Sequence, residues 1–370
     1  MREVGGWRGS SGIPPGYEGV AAGDHPGTHS AVIRAFGPGR VNLIGEHTDY
    51  NGGLALPFAI ARGVTVEASP RRDGEVRVHA RDPDERDAFP ATAPERAAGW
   101  RAFVRGTVAE LRAAGVEVPG AELAFWGDLP SGSGLSSSAA LEAALSLALL
   151  ALADAREPDR VALARLCSRV ENEWVGAETG LLDQLASLCC EEGSALRIDF
   201  ATLALEAVPL DLRGWQLATL DSGAQHEHAA GGYNARREEC REICARLGIE
   251  HVSRADPDAA DALPEPLARR TRHVLAENAR VDAMVTALRA GDLHAAARLL
   301  DASHASLRDD YEAGVPEVEA AVRACKDAGA AGARMVGGGF GGSVLALFPP
   351  GVPLVAGATG VVPAAAAALV

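Results

Sequence analysis

Residues 334–348 read RMVGGGFGGSVLALF, and the way this run folds decides between two architectures. It contains Gly337-x-Gly339-x-x-Gly342, the spelling of a dinucleotide-binding turn. Such a turn opens a helix inside a βαβ unit and is followed about 20 residues on by an acidic residue. Here the glycines lead into Ser343–Phe348, an apolar run of strand character, and no Asp or Glu follows Gly342. A doubly wound dinucleotide-binding fold is therefore excluded. Five glycines around Phe340 predict a tight backbone turn instead, against which a ligand or another loop can lie closely.

Outward from this turn, strand and helix patterns mix without βαβ alternation. Val32–Phe36 and Leu43–Ile44 are short apolar runs among glycines, while Gly63–Ala68, Val76–Ala80, Glu122–Trp126 and Leu217–Leu220 have strand character. Helical spacing runs through Arg101–Ala114, Ala143–Ala153, Val161–Trp174 and Tyr233–Leu247. Residues 254–325 are helical in pattern nearly throughout, with turns near Pro264–Pro266 and at Gly291. The predicted class is α+β. A chain of 370 residues has the length of two domains. A boundary at Pro209 to Gly214 divides residues 31–210 from 211–370. Residues 1–30, rich in Gly, Pro and Ser, are expected to be a disordered extension or a mis-called start.

The formal net charge is −15, which makes the chain a poor partner for nucleic-acid backbones. A single small anion can still be held by backbone N–H groups and a metal ion. There is one lysine, Lys326, and it lies in a helical stretch away from any glycine loop. A Walker A loop and a protein-kinase strand lysine are both excluded. Six irregularly spaced cysteines with no Cys-x-x-Cys predict reduced thiols and a cytoplasmic location. The longest apolar helix candidate, Ala143–Ala153, is bounded by Glu142 and Asp154 and is half of what a membrane span of about 20 residues needs. His226-x-His228 lacks further ligands at metal spacing, and no Gly-x-Ser-x-Gly elbow is present.

Three other segments carry candidate chemistry. Residues 129–144, LPSGSGLSSSAALEAA, place glycines and hydroxyls before a strong helix former run. Glycines let backbone approach closely, and the free N–H groups of a first helical turn bind anions. The three serines add donors and a potential Mg²⁺ ligand; a Ser N-cap after a linker is the bland reading. Residues 36–53, FGPGRVNLIGEHTDYNGG, crowd Arg40, Glu46, His47 and Asp49 around an apolar Val-x-Leu-Ile run. Either a structural ion-pair cluster or a polar small-molecule pocket accounts for it. In GLLDQLASL, residues 180–188, Asp183 is the one carboxylate in an apolar setting, so it is paired or functional, with Arg40 a candidate partner.

Taken together these segments resemble the GHMP family of small-molecule kinases, and within it the branch that phosphorylates galactose. GRVNLIGEHTDYNGG is similar to that branch's sugar signature, GLSSSAA to the family's ATP loop, and GLLDQ to the segment with the catalytic aspartate. DSGAQHEHAAGGYNARREEC (221–240), SHASLRDDYE (303–312) and RMVGGGFGG extend the likeness, in order, over about residues 32–348. The resemblance implies a two-domain α+β fold with the active site in the interdomain cleft. It implies ATP-dependent phosphorylation of the anomeric hydroxyl of α-D-galactose, the entry to galactose metabolism by the Leloir pathway. By position it makes Asp183 the general base and Arg40 its partner and transition-state stabiliser. Glu46, His47, Thr48, Asp49, Gly180, Asp183 and Tyr233 fall to the sugar. Gly132, Ser133, Gly134, Leu135, Ser136, Ser137 and Ser138 fall to ATP, and Ser138 and Glu171 to Mg²⁺. The partners implied are galactose and ATP, with no nucleic acid or membrane, and the expected state is a monomer.

The sequence departs from the family pattern in three places. The signature begins Phe-Gly-Pro-Gly-Arg where the family has Ala-Pro-Gly-Arg. A Gly/Pro-rich start replaces the preceding amphipathic helix, and the end, PLVAGATGVVPAAAAALV, lacks the family's closing strand pattern. Two competitors are a kinase for a related sugar, such as N-acetylgalactosamine or arabinose, and a non-catalytic sugar sensor. The intact run His47-Thr48-Asp49-Tyr50-Asn51-Gly52 favours galactose, and the unbroken Ser138-Ala139-Ala140 favours an active enzyme.

Overall fold

The computed structural model describes residues 32–129, 134–177, 179–224 and 229–370. The first sheet has seven strands. It contains the antiparallel pair β1 (Ile33–Asn42) and β3 (Pro57–Arg71), registered from Ile33↔Ala68 to Asn42↔Pro57. Beside β3 lie β6 (Gly120–Gly127), then β4 (Glu75–Ala80) and β5 (Glu85–Pro90), with β4 and β6 parallel. The β1–β3 register shifts between Pro38 and Arg40. Pro38 has no N–H to give to the ladder, and a bulge there re-aims the next side chain. The Arg40 N–H accordingly donates to Leu135 O at 3.1 Å instead of to β3.

Against this sheet pack α1 (Trp100–Ala113), α2 (Ser137–Leu152), α3 (Arg160–Arg169) and α4 (Leu182–Cys189). Helix α2 is buried from Ala139 to Leu150, so it is apolar on every face, as a helix enclosed by sheet and helices must be. It starts six residues before the apolar run Ala143–Ala153 and takes in Glu142, which sequence reading set at its edge. A Cβ on Gly37 of β1 would fall 2.0 Å from Ala140 O; only glycine lets the helix backbone sit this close to the strand.

A three-stranded sheet joins β2 (Leu54–Ala55), β7 (Ser194–Asp199) and β8 (Ala204–Pro209) in the order β2-β7-β8. The third sheet begins with β9 (Gln216–Asp221). Helices α5 (Ala229–Leu247), α6 (Pro257–Asp261), α7 (Leu267–Ala290), α8 (Leu293–Asp309) and α9 (Pro316–Asp327) follow. Then β10 (Gly332–Met335), β11 (Ser343–Phe348) and β12 (Thr359–Val361) complete the sheet in the order β10-β11-β9-β12. The glycine run after β10 does open a strand, β11. No helix among the described residues is long and apolar enough to cross a membrane.

The C-terminal segment, unusual in sequence, is tied into the first sheet. Strand β13 (Pro363–Ala364) pairs with β3, and β14 (Ala368–Leu369) pairs with β1. Arg160 Nη1 donates to Ala367 O at 2.8 Å, and Ala367 N–H donates to Ser187 O at 2.8 Å. Residues after 210 therefore build the third sheet and then return to the first.

Candidate active site

A cavity of about 510 Å³ opens where the end of β1, the turn after it, the segment before α4, the start of α5 and the glycine loop 337–342 converge. Arg40, Asp49, Asp183, Tyr233 and Gly338 are among its walls. The bulge at Pro38 turns Arg40 inward. Its Nε donates to Asp183 Oδ1 at 2.7 Å, Nη2 lies 2.6 Å from the same oxygen, and Nη1 donates to Gly134 O at 2.6 Å. The guanidinium fork thus joins the carboxylate of α4 to the loop before α2. Asp183 Oδ2 accepts from the Ser136 hydroxyl. Ser136 has φ of 59°, the left-handed region that a serine seldom adopts. Asp183 is therefore paired, one of the two outcomes open to a lone carboxylate in an apolar run.

The turn after β1 carries the other acidic groups. Glu46 Oε1 accepts from Gly337 N–H at 2.8 Å and lies 3.2 Å from Nη2 of the buried Arg334. His47 has both ring nitrogens engaged by protein. Nε2 is 3.1 Å from Gly338 O, which can only accept, so Nε2 carries the proton, and Nδ1 accepts from the Tyr50 hydroxyl at 2.7 Å. Burial, then the neighbouring His273, Arg236 and Arg334, hold His47 down to about 3, so it is neutral. Burial pushes the Asp49 carboxyl up to about 6, helped by the charges of Asp183 and Glu46. Gly180 sits against Asp49, and burial raises the Tyr233 hydroxyl well above its ordinary value.

The structure does not bring every expected residue to the cavity. Thr48 is buried, and its hydroxyl faces Gly45 O at 2.9 Å and Leu54 O at 2.8 Å, so it holds the turn and not the wall. Leu135 packs in the core, and its carbonyl accepts from the Arg40 N–H. Gly132 and Ser133, like His226 and His228, lie outside the described residues. Of the ATP-loop residues, Gly134 lines the cavity and Ser137 begins α2 exposed.

Beside the cavity Ser138 Oγ donates to Glu171 Oε1 at 2.7 Å. Glu171 lies in a π-helical turn, Val170–Val175, that continues α3; such turns displace a side chain from the regular helical face and recur at functional sites. Its second oxygen accepts from Thr179 Oγ1 at 2.8 Å and Gln184 Nε2 at 2.7 Å. The donor set is a hydroxyl and a carboxylate, hard oxygen ligands suited to Mg²⁺. Among the described residues no group of three or more His, Cys, Asp or Glu forms a metal cage. One carboxylate leaves the other positions to phosphate oxygens and water, which is how Mg²⁺ is commonly held with nucleotides.

Sequence reasoning passed over several participants. Arg334 and Gln184 stand inside quoted motifs without a role, and Tyr50 and Tyr311 continue the His47 contact with hydroxyls 2.9 Å apart. Glu142 had a legible signal, a single carboxylate in an apolar helix, the same pattern that drew attention to Asp183.

Three family descriptions match this sequence: the galactokinase galactose-binding signature over residues 25–70, the GHMP kinases N terminal domain over 102–191 and the GHMP kinases C terminal over 284–354. The galactokinase of Streptomyces coelicolor is 44% identical over 324 residues, 84% of this chain and 83% of its own. That of Mycobacterium tuberculosis H37Rv is 44% identical over 320 residues, 84% of this chain and 88% of its own. The crystal structure of Lactococcus lactis galactokinase complexed with galactose matches with a TM-score of 0.85 at 34% identity, over 92% of this chain and 95% of that one. Methanococcus jannaschii mevalonate kinase shares the fold, with a TM-score of 0.65 at 17% identity over 88% and 92% of the two chains.

Proposed function

The chain belongs to the GHMP kinase family, in its galactokinase branch, and we propose that it transfers the γ-phosphoryl group of ATP to the anomeric hydroxyl of α-D-galactose. The products are galactose 1-phosphate and ADP, which feed galactose metabolism. The fold is the two-domain α+β fold of that family, and ATP is the co-substrate. The working division is residues 31–210 and 211–370, with the last strands returning to the first sheet. All six cysteines are free, which supports a reducing, cytoplasmic setting for a protein acting as a monomer.

The observation that carries this reading is the Arg40–Asp183 pair, set between the loop before α2 and the acidic turn at Asp49. Asp183 takes the proton of the anomeric hydroxyl as it attacks. Arg40 orients Asp183 through Oδ1 and stabilises charge that develops on the transferring group. Glu46 and Asp49 accept hydrogen bonds from sugar hydroxyls, with Gly180 and Tyr233 shaping the pocket. His47, whose nitrogens are engaged elsewhere, contributes its ring. The loop to Ser138 and the first turn of α2 offer N–H groups and hydroxyls to the phosphates. Ser138 and Glu171 hold Mg²⁺. When bound, Mg²⁺ neutralises phosphate charge, a task that needs no lysine.

ADP release measured over a panel of sugars tests the reading. Galactose is expected to be used well and glucose, with one hydroxyl inverted, very poorly. A site that hydrogen-bonds a hydroxyl discriminates by about 10⁴-fold or more. Comparable kcat/KM for the two sugars overturns the assignment, preference for N-acetylgalactosamine or arabinose redirects it, and no turnover with any sugar favours a sensor.

A further inference from the structure

We propose that Arg334 is a positioning residue for substrate choice: together with the Gly337 N–H it fixes Oε1 of Glu46, so that Oε2 is presented to one hydroxyl of the sugar. The inference deepens the reading above and rests on its placing of Glu46 against the sugar.

Arg334 lies in β10, just before the glycine loop, and is fully buried. A guanidinium out of water is costly unless it is paired and hydrogen-bonded. Here Nη1 donates to Asn42 O at 3.0 Å and to Leu43 O at 3.1 Å. Those carbonyls lead from the end of β1 into the acidic turn, so the backbone of that turn anchors the cation. Nη2 lies 3.2 Å from Glu46 Oε1. It makes no directed hydrogen bond, so this contact acts through charge. Direction comes from Gly337, whose N–H donates to the same oxygen at 2.8 Å. Residues 334–337 therefore grip Glu46 Oε1 twice.

The backbone on either side of Glu46 is held without Arg334. Glu277 of α7 accepts from Gly45 N–H at 3.0 Å, and His273 Nε2 is 3.2 Å from Glu46 O. Glu277 is fully buried as well, but its charge is met by Arg280 at 2.6 Å. Glu46 is the carboxylate that pairs with Arg334. Helix α7 thus fixes the main chain, and Arg334 adds the hold on the side chain. Glu46 also lines the cavity. A carboxylate fixed by one oxygen before a ligand arrives keeps the other in one place, and such preorganisation turns a hydrogen bond into discrimination. Being fully buried, Arg334 meets a ligand only through Glu46.

Arg334→Lys and Glu46→Asp test the proposal on a panel of galactoses that each lack one hydroxyl other than the anomeric one. The parent should penalise most the sugar lacking the hydroxyl that Glu46 meets. Arg334→Lys keeps a cation but cannot hold two carbonyls and a carboxylate as the planar fork does. It is expected to raise KM for galactose about tenfold, with kcat and ATP affinity near those of the parent, and to shrink that one penalty by about the same factor. The other penalties should stay, whereas a merely structural role would scale the whole panel evenly. Glu46→Asp keeps the acid and draws it back from Arg334 and Gly337 by one methylene. It is expected to lose the same penalty, and the double variant should be no worse than Glu46→Asp alone, because both changes act on one interaction.

An unchanged panel in either variant, or effects of the two that multiply, overturns the proposal. Glu46→Asp leaves the bonds of Arg334 to Asn42 and Leu43 in place, so it decides the matter even where Arg334→Lys does not fold. Failure of the underlying reading looks different: the parent then does not use galactose, which removes the proposal with it. Failure of the proposal alone leaves the parent's galactose turnover and its selectivity across the panel intact.

Discussion

A Cβ placed on Gly180 would lie 1.7 Å from Asp49 Oδ2, so the segment before α4 and the turn after β1 touch through a glycine and a carboxylate. The turn has little freedom to retreat. Asn51 Nδ2 donates to His47 O at 2.7 Å and Gly53 N–H to Thr48 O at 2.8 Å. Gly180→Ala must therefore displace Asp49 within the cavity. A displacement near 1 Å at a reacting geometry costs about 10²-fold. The expected outcome is kcat/KM for galactose lower by that factor with ATP binding unchanged, checked by steady-state kinetics and a nucleotide titration. Unchanged kinetics would mean that Asp49 does not contact the sugar.

Asp49 itself gives a pH prediction. Its carboxyl is raised from 3.8 to about 6, so it becomes neutral as pH falls through that value. An uncharged carboxyl is a weaker acceptor, so KM for galactose should rise below about pH 6. For stability the sign is opposite. The folded state holds the Asp49 proton more tightly than the unfolded chain does, so folding weakens as pH rises from about 4 to about 6. Asp49→Asn cannot ionise. It should melt progressively later than the parent over that interval and keep the advantage above it, while using galactose poorly. Thermal melts across pH check the first half and kinetics the second.

Tyr50 supplies the only hydrogen that Nδ1 of His47 can accept in the arrangement described, and its oxygen meets the Tyr311 hydroxyl. Tyr50→Phe leaves a buried nitrogen unsatisfied, which costs about 1–3 kcal/mol. Urea unfolding should show that loss. Because His47 Nε2 holds Gly338 O, the glycine loop should loosen too, and KM should rise more than kcat falls. A stability change with no change in KM would limit the Tyr50–His47 contact to folding.

Much of the fold was legible because period and punctuation agree with burial. Glu75–Ala80 and Trp100–Ala113 follow the alternation and the 3.6-residue spacing closely, and the glycine run announced its turn into β11. Strand β14 was not legible, since Ala368–Leu369 sits in an alanine-rich tail and gains its place only from pairing with β1. In the site, Arg40 and Asp183 stood out as charges in apolar company. Ser136 did not, because nothing in a serine triplet says which hydroxyl reaches a carboxylate 47 positions away. The bulge at Pro38 and the left-handed turn at Ser136, both tertiary features, make that meeting.

Arg40 and Asp183 both line the cavity. Asp183 receives Arg40 on one oxygen and Ser136 on the other. Asn at 183 has nearly the same size and can keep one acceptor, but it cannot take a proton. Asp183→Asn should lose about 10²–10⁴-fold in kcat, the usual share of a general base. The loss should persist at saturating galactose and ATP, since the interaction is made in the transition state. Arg40→Lys keeps the charge and loses the planar fork, which here reaches Asp183 Oδ1 through Nε and Gly134 O through Nη1. It should lower kcat and also weaken ATP binding, because one ammonium cannot hold both the carboxylate and the loop. ATP affinity followed by titration separates the variants: preserved in Asp183→Asn, reduced in Arg40→Lys. A kcat near that of the parent in Asp183→Asn would leave the attacking hydroxyl without a base. Positioning by Arg40 and the phosphate loop would then have to account for the rate.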